Sequence, residues 1–186
     1  MKILPRKFYS RPTLKVAQDL LGCFLVRKYR GKIWRAMITE TEAYVGEKDL
    51  ACHASKGRTP RTEVMYGEPG HAYVYMIYGM YHCLNIVTEK KDFPAAVLIR
   101  AVEIIDNPPL LNKERVGVRL NGPGKLCKFL KIDRKLNKWD LTKKDKLWLE
   151  HRGSKIKLDK IKKSKRIGID YAQHCRESLW RFTLNS

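Results

Sequence analysis

Apolar residues recur at helical spacing once near the start of the chain, at Leu14, Ala17, Leu20 and Leu21, which predicts one short amphipathic helix. Ser10-Arg11-Pro12 precedes it as a cap with an early-turn proline, and Gly22 closes it. Beyond Gly22 the period falls to two. Cys23–Arg27 predicts a strand, Arg30-Gly31 a turn, and Ile33–Tyr44 a long strand. Strict alternation gives that strand one face with Trp34, Ala36, Ile38, Glu40, Glu42 and Tyr44, and another with Ile33, Arg35, Met37, Thr39, Thr41 and Ala43. Residues 45–70 are polar and rich in turn formers (Gly46, Gly57, Pro60, Gly67, Pro69, Gly70), a long loop of the length that usually carries function.

Residues 72–88 read as a hairpin. Tyr73–Tyr78 and Tyr81–Val87 flank Gly79-Met80, and Gly at the first central position is the type II′ preference. Ala95–Val102 is a further apolar strand interrupted by Arg100. Leu120–Gly124 predicts a loop before a short helix from Lys125 to about Lys131, and Leu147–Leu149 and Ile167–Ile169 are strand candidates. With no internal repeat and no linker, the pattern predicts a single mixed α+β domain over residues 1–186.

Charge sharpens this picture. The 186 residues include 39 Lys+Arg and 19 Asp+Glu, a formal charge of +20. Residues 113–166 alone hold 20 basic and 6 acidic residues, and 155–166 reads as a basic surface. Self-repulsion of that size calls for a polyanionic partner, and nucleic acid is the commonest. At 44% hydrophobic residues the chain is no disordered basic tail. No apolar run approaches the ~20 residues of a membrane helix, and Met1–Arg6 is charged again too soon for a secretory leader. The expectation is a cytoplasmic protein without a membrane partner. Five widely spaced cysteines without a C-x-x-C predict reduced, buried thiols.

Two clusters carry candidate chemistry. Glu40 and Glu42 stand at i, i+2 at the end of a predicted strand, about 6.6 Å apart by strand rise, placed to act as a general base on water. The same residues with Asp49 and His53 offer oxygen and nitrogen ligands for a metal-dependent nuclease, although the spacing matches no defined metal motif. Tyr66, Tyr73, Tyr75, Tyr78 and Tyr81 fall within 16 residues. Tyrosines in a basic protein provide stacking platforms for bases, although Tyr73 and Tyr75 also suit a sheet core. Tyr78 and Tyr81 flank the turn, where an aromatic has the shape of a wedge for a base stack. Asn121-Gly122-Pro123-Gly124-Lys125 lacks the Ser/Thr of a P-loop but can offer backbone amides and Lys125 to a phosphate.

Glu40-Thr41-Glu42-Ala43-Tyr44, His53, Arg58-Thr59-Pro60-Arg61, the run Tyr73–Tyr81, Asn85, Leu98–Ala101, Asn121–Cys127 and Arg166–Ile169 together resemble the alkyladenine (3-methyladenine) DNA glycosylase family. The resemblance runs from about residue 10 to about 182. It implies a curved antiparallel sheet with a protruding hairpin, and a monofunctional base-excision-repair enzyme that flips damaged purines out of double-stranded DNA. It further implies Glu42 as the general base on water, with Arg100 and the carbonyl of Ile167 as further holders of that water. Tyr44, His53, Tyr75 and Asn85 are implied as the base pocket and Tyr78 as the intercalating residue. Arg58, Arg61 and Lys125 are candidate phosphate contacts. A monomer with no metal and no cofactor is expected. A non-catalytic nucleic-acid binder shares the charge and the tyrosines but has no use for Glu42. One feature of spacing conflicts with the implied pocket: in a two-residue hairpin Tyr75 pairs with Leu84, and Asn85 then points away from Tyr75, so a bulge or strong twist is required.

Overall fold

The computed structural model describes residues 1–106, 117–153 and 156–184. Of the basic stretch, Lys113, Arg115 and Lys155 therefore lie outside the described residues. Two short helices, α1 (Arg6–Tyr9) and α2 (Thr13–Asp19), lead into strands β1 (Phe24–Tyr29) and β2 (Lys32–Val45). After the long loop come β3 (Ala72–Ile77), β4 (Tyr81–Val87), β5 (Ala95–Asp106) and β6 (Arg119–Asn121), then helix α3 (Pro123–Phe129) and strands β7 (Leu147–Glu150), β8 (Ile161–Ser164) and β9 (Arg181–Leu184). The nine strands form one antiparallel sheet of order β3-β4-β5-β2-β1-β7, with β6 added to β5 and β9, carrying β8, added to β2. This is the expected mixed α+β class. Among the described residues no helix is long and apolar enough to cross a membrane.

One face of the sheet is covered by α2 and α3. Val16 and Ala17 of α2 with Leu20 just after it, and Leu126 and Cys127 of α3 with Leu130 just after it, pack with Leu25, Ala36, Ile38, Val97, Ile99, Val102 and Ile104. Truncating one of these core side chains, as in Ile99→Ala, is expected to lower unfolding free energy by about 2–5 kcal/mol in a denaturant titration. Ser10 does not cap α2. Its hydroxyl bonds Arg6, and Pro12 holds the cap position. The free donors at the start of α2 go to Glu89, whose Oε1 accepts from the Thr13 amide (2.6 Å) and hydroxyl (2.9 Å). The five cysteines are free and buried.

The alternation expected along β2 breaks in the middle. Ala36 and Ile38 face the main core, but beyond them Ala43 does so, and Thr41 donates to the carbonyl of Ala17 beneath. The register explains this. Ile38 lies opposite Val102, Glu40 opposite Ala101, and Thr41 opposite Ile99. Thr39 is thus an extra residue on β2 and Arg100 an extra residue on β5. Such paired bulges bend the sheet and re-aim side chains. Here they turn Glu40, Glu42, Tyr44 and Arg100 away from the main core.

The second face is closed by the 45–70 loop, which contains 3₁₀ turns at His53–Lys56 and Glu63–Tyr66. Its Cys52, Ala54, Val64 and Met65 pack on Tyr73, Val87 and Ala96. The expected strand at Ile167–Ile169 is absent, and those residues form a bend after β8. Glycine at position 168, with φ +73°, takes a conformation that a strand does not use.

The hairpin differs from a two-residue loop. Ile77 pairs with Tyr81, leaving Tyr78-Gly79-Met80 as the connection, and both Tyr78 (φ +52°) and Gly79 (φ +68°) are left-handed. The type II′ expectation is therefore replaced by positive φ at both Tyr78 and Gly79, the pattern of a type I′ turn, with the Met80 amide bonded to the Ile77 carbonyl. Tyr75 now pairs with Cys83, and Tyr73 with Asn85. Tyr73, Tyr75, Cys83 and Asn85 share one face, and the extra loop residue removes the parity conflict. Helix α3 starts two residues earlier than expected, with Gly122 (φ +110°) as its cap and Pro123 in the first turn. A methyl group on Gly124 would stand 2.9 Å from the Tyr81 ring. The glycine at 124 serves close packing of α3 on the hairpin. Gly124→Ala is expected to displace Tyr81 and slow activity while leaving the thermal midpoint within a few degrees of the parent.

Candidate active site

The bulges, the hairpin and the 45–70 loop enclose a cavity of about 370 Å3 on the second face of the sheet. Tyr44, His53, Tyr73, Tyr75, Asn85 and Arg100 line it, and Tyr78 and Tyr171 stand at its rim. Glu42 lies one layer behind the wall and is fully buried. Three residues of the lining touch it. The Ile167 amide donates to Oε1 at 2.8 Å, the Tyr44 hydroxyl to Oε2 at 2.9 Å, and Arg100 Nη1 to Oε2 at 3.3 Å. Burial raises the Glu42 pKa above the ordinary carboxylate value, opposed by Arg100, the Ile167 amide and Tyr44. Removal from water outweighs three favourable contacts, so this carboxylate holds a proton more tightly than an exposed one.

The Ile167 amide reaches Glu42 because of Arg166. That guanidinium is buried and paired with Asp49 through two bonds of 2.6 and 2.8 Å, and it also donates to the carbonyls of Ala43 and Cys175. Asp49 further accepts from the amides of Val45 and Ala51. The cation lies over the rings of Tyr44 and Trp180. Asp49 is thus a structural anchor and not the metal ligand considered from sequence. Glu40 is likewise engaged by Arg181 and Arg100. Among the described residues no group of three His, Cys, Asp or Glu side chains is gathered for a metal.

The profile of the methylpurine-DNA glycosylase family matches residues 7–186. The chain belongs to that family. A relative from Methanocella arvoryzae is 52% identical over 187 residues, covering 98% of this chain and 92% of its own. One from Myxococcus xanthus is 49% identical (92% and 84% covered), and one from a Wolbachia of Brugia malayi is 49% identical (98% of each). All three carry the provisional name 3-methyladenine DNA glycosylase. The protein is accordingly a DNA glycosylase of base excision repair, a hydrolase of N-glycosyl bonds whose substrate is DNA.

In this glycosylase the remaining sequence-derived residues separate into two groups. His53, Tyr75 and Asn85 are brought together. His53 Nδ1 is 2.9 Å from the Tyr73 hydroxyl, its ring meets Tyr75 edge-on at 4.6 Å, and Asn85 Nδ2 donates to the Tyr73 carbonyl at 3.2 Å. Burial, with Arg61 and Lys56 nearby, lowers the His53 pKa to about 4, so the imidazole is neutral at pH 7. Tyr78 is 86% exposed at the hairpin tip beside Met80. Ile167 contributes its backbone amide to Glu42 Oε1.

The phosphate candidates lie outside the cavity. Arg58 is held by Glu63 (2.7 and 2.8 Å) and Asp92 (3.3 Å), which leaves its charge already paired. Lys125 borders a separate groove with Trp34, Lys128 and Lys131. Arg61 lies over the Tyr75 ring beside a neighbouring depression. Sequence reasoning missed Arg166 and Arg181 as site residues, and it weighed Tyr73 both as a stacking platform and as sheet core. Tyr73's place in the tyrosine run was its only signal.

Proposed function

We propose that this glycosylase removes alkylated or deaminated purines from duplex DNA, acting as a monomer through water activated by Glu42. The observation that carries the reading is a buried carboxylate, held by the Ile167 amide, Tyr44 and Arg100, directly behind a tyrosine-walled cavity. Extruding a nucleotide requires a few kcal/mol, less for a damaged or mispaired base. Tyr78, exposed at the hairpin tip, fills the vacated step. The everted purine stacks between Tyr44 and Tyr75, and a cationic methylated ring gains a cation–π contribution there. Neutral His53 and the Asn85 amide are the polar edges available to it.

Oε2 of Glu42 already accepts two hydrogen bonds and Oε1 one, so Oε1 retains an acceptor site for a water proton. As the glycosidic bond breaks, the sugar gains oxocarbenium character. The carboxylate stabilises that charge and takes the proton of the attacking water. Arg100 orients the carboxylate and the Ile167 amide fixes its other oxygen. Among the described residues no lysine lines the cavity, so no amine is placed to form a Schiff base. Borohydride is expected to trap no covalent protein–DNA adduct during turnover.

The test is release of free base, measured by chromatography, from duplexes carrying 3-methyladenine, 7-methylguanine, hypoxanthine or ethenoadenine. Release of one or more of them by the parent enzyme supports the reading, and no release from any overturns it. Binding to these duplexes is expected to weaken steeply with salt, log K falling by about 0.9 per phosphate neutralised for each tenfold rise in salt.

A further inference from the structure

Glu40 has no part in the mechanism above, yet it stands two residues from Glu42 and is nearly as deeply buried. Its Oε1 accepts Arg181 Nε at 2.6 Å and lies 3.3 Å from Arg100 Nε. Nη1 of the same Arg100 is 3.3 Å from Oε2 of Glu42. Four charges therefore alternate in a row, Arg181, Glu40, Arg100 and Glu42. The sheet builds that row. β2 lies between β5 and β9, and the Arg100 bulge turns the guanidinium toward the two carboxylates.

We propose that Glu40 is a positioning residue of the glycosylase reaction, holding Arg100 by its Nε so that a single guanidinium nitrogen reaches the catalytic carboxylate. The inference rests on the function proposed above and assigns a residue that it leaves idle. Arginine and carboxylate prefer a two-bond, fork-to-fork pair. Such a pair on Glu42 would occupy its acceptor sites and stabilise its charged form, which weakens it as a base. Glu40 competes for the fork and prevents that collapse, and Arg181 holds Glu40 from the opposite side. A structural role alone is a poor account, because a buried carboxylate between two guanidiniums adds little to stability over an apolar filling.

The groups facing Glu42 are Tyr44 on its own strand, Arg100 on β5, Cys83 on β4, Arg181 across on β9, and Arg166 with the Ile167 amide after β8. The described ion pairs of Glu40 run to Arg100 and Arg181. Changes along the row should therefore alter the titration of Glu42 in a direction set by where Arg100 goes. In Glu40→Gln the guanidinium is released onto Glu42. In Arg181→Met, Glu40 loses its other partner and draws Arg100 away from Glu42.

The experiment is single-turnover base release from dimethyl-sulfate-treated duplex DNA, followed against pH for the parent, Glu40→Gln and Arg181→Met. Glu40→Gln should release base about 10- to 100-fold more slowly, as expected for a misplaced catalytic contact, with DNA binding unchanged. Its acid limb should move to lower pH by about one unit, and that of Arg181→Met should move to higher pH. Unmoved limbs, or limbs that move in the same direction, overturn the proposal. Arg181 is partly exposed at the sheet margin. If Glu40→Gln fails to fold, the direction of the Arg181→Met limb decides alone. A parent enzyme that releases no base defeats the function proposed above. An active parent with unmoved limbs defeats only the role of Glu40.

Discussion

Glu42→Gln is expected to bind damaged duplex DNA as the parent does and to release base about 10²- to 10⁴-fold more slowly, the contribution typical of a positioned general base. The substitution is close to isosteric. The amide oxygen keeps the Ile167 contact, the Tyr44 hydroxyl rotates to accept from the new NH2 group, and Arg100 retains Glu40. What disappears is the charge. Two accompanying results separate loss of a base from loss of structure. First, the parent rate should fall as pH drops through the raised Glu42 pKa, since the protonated acid cannot take a proton from water. His53 stays neutral down to about pH 4, so it does not impose that limb. Second, stability should not suffer. A carboxylate whose folded pKa lies above its unfolded value contributes least once both states are ionised, and stability is lost as pH rises through the folded pKa. At neutral pH the buried charge is a liability, and Glu42→Gln should melt at or above the parent temperature in a calorimetric scan. A variant that releases base at the parental rate, or that fails only because it unfolds, removes Glu42 from the role.

The candidate site was legible where chemistry and strand period agree. The pair Glu40 and Glu42, the tyrosine run and the hairpin can all be found by alternation and turn residues. The aim of the side chains was not. Alternation carries Ile38 and Glu40 to the same face, and only the extra residue Thr39 parts them, while Arg100 is re-aimed by its own bulge on the neighbouring strand. Nothing in the residue types marks a bulge there, because Thr39 is a good strand former and Arg100 reads as an isolated polar interruption. At the hairpin, Gly79 was visible as a turn residue, but a tyrosine at positive φ is uncommon. The third loop residue, and with it the placing of Asn85 beside Tyr73, stayed hidden. Strand β8 was masked by its own charge, since Lys162 and Lys163 point to solvent and resemble any basic surface. The cap on α2 comes from Glu89, 76 positions along the chain from Thr13, beyond any local rule.

Arg166→Met is expected to lower the stability of the folded state by about 3–5 kcal/mol, the usual consequence of stranding one partner of a buried ion pair. For a chain of 186 residues that is a fall of roughly 10 °C in melting temperature. Both partners are almost entirely excluded from solvent, the guanidinium makes two bonds to Asp49, and it also satisfies two carbonyls that lose their donor with it. Arg166→Lys should recover little, because a point ammonium cannot reproduce the two-bond fork. The double variant Asp49→Leu with Arg166→Met removes both charges, and it should be more stable than either single change, with a coupling energy measurable in a double-mutant cycle. Activity should not follow stability back. Arg166 ties the 165–172 segment to the 45–51 loop and so sets the Ile167 amide 2.8 Å from Glu42 Oε1. In the double variant that amide loses its anchor while the fold regains its balance. Base release at a temperature where the double variant is fully folded should therefore stay well below the parent rate. Recovery of activity in step with melting temperature would reduce Arg166 to a structural residue and detach the Ile167 amide from the chemistry.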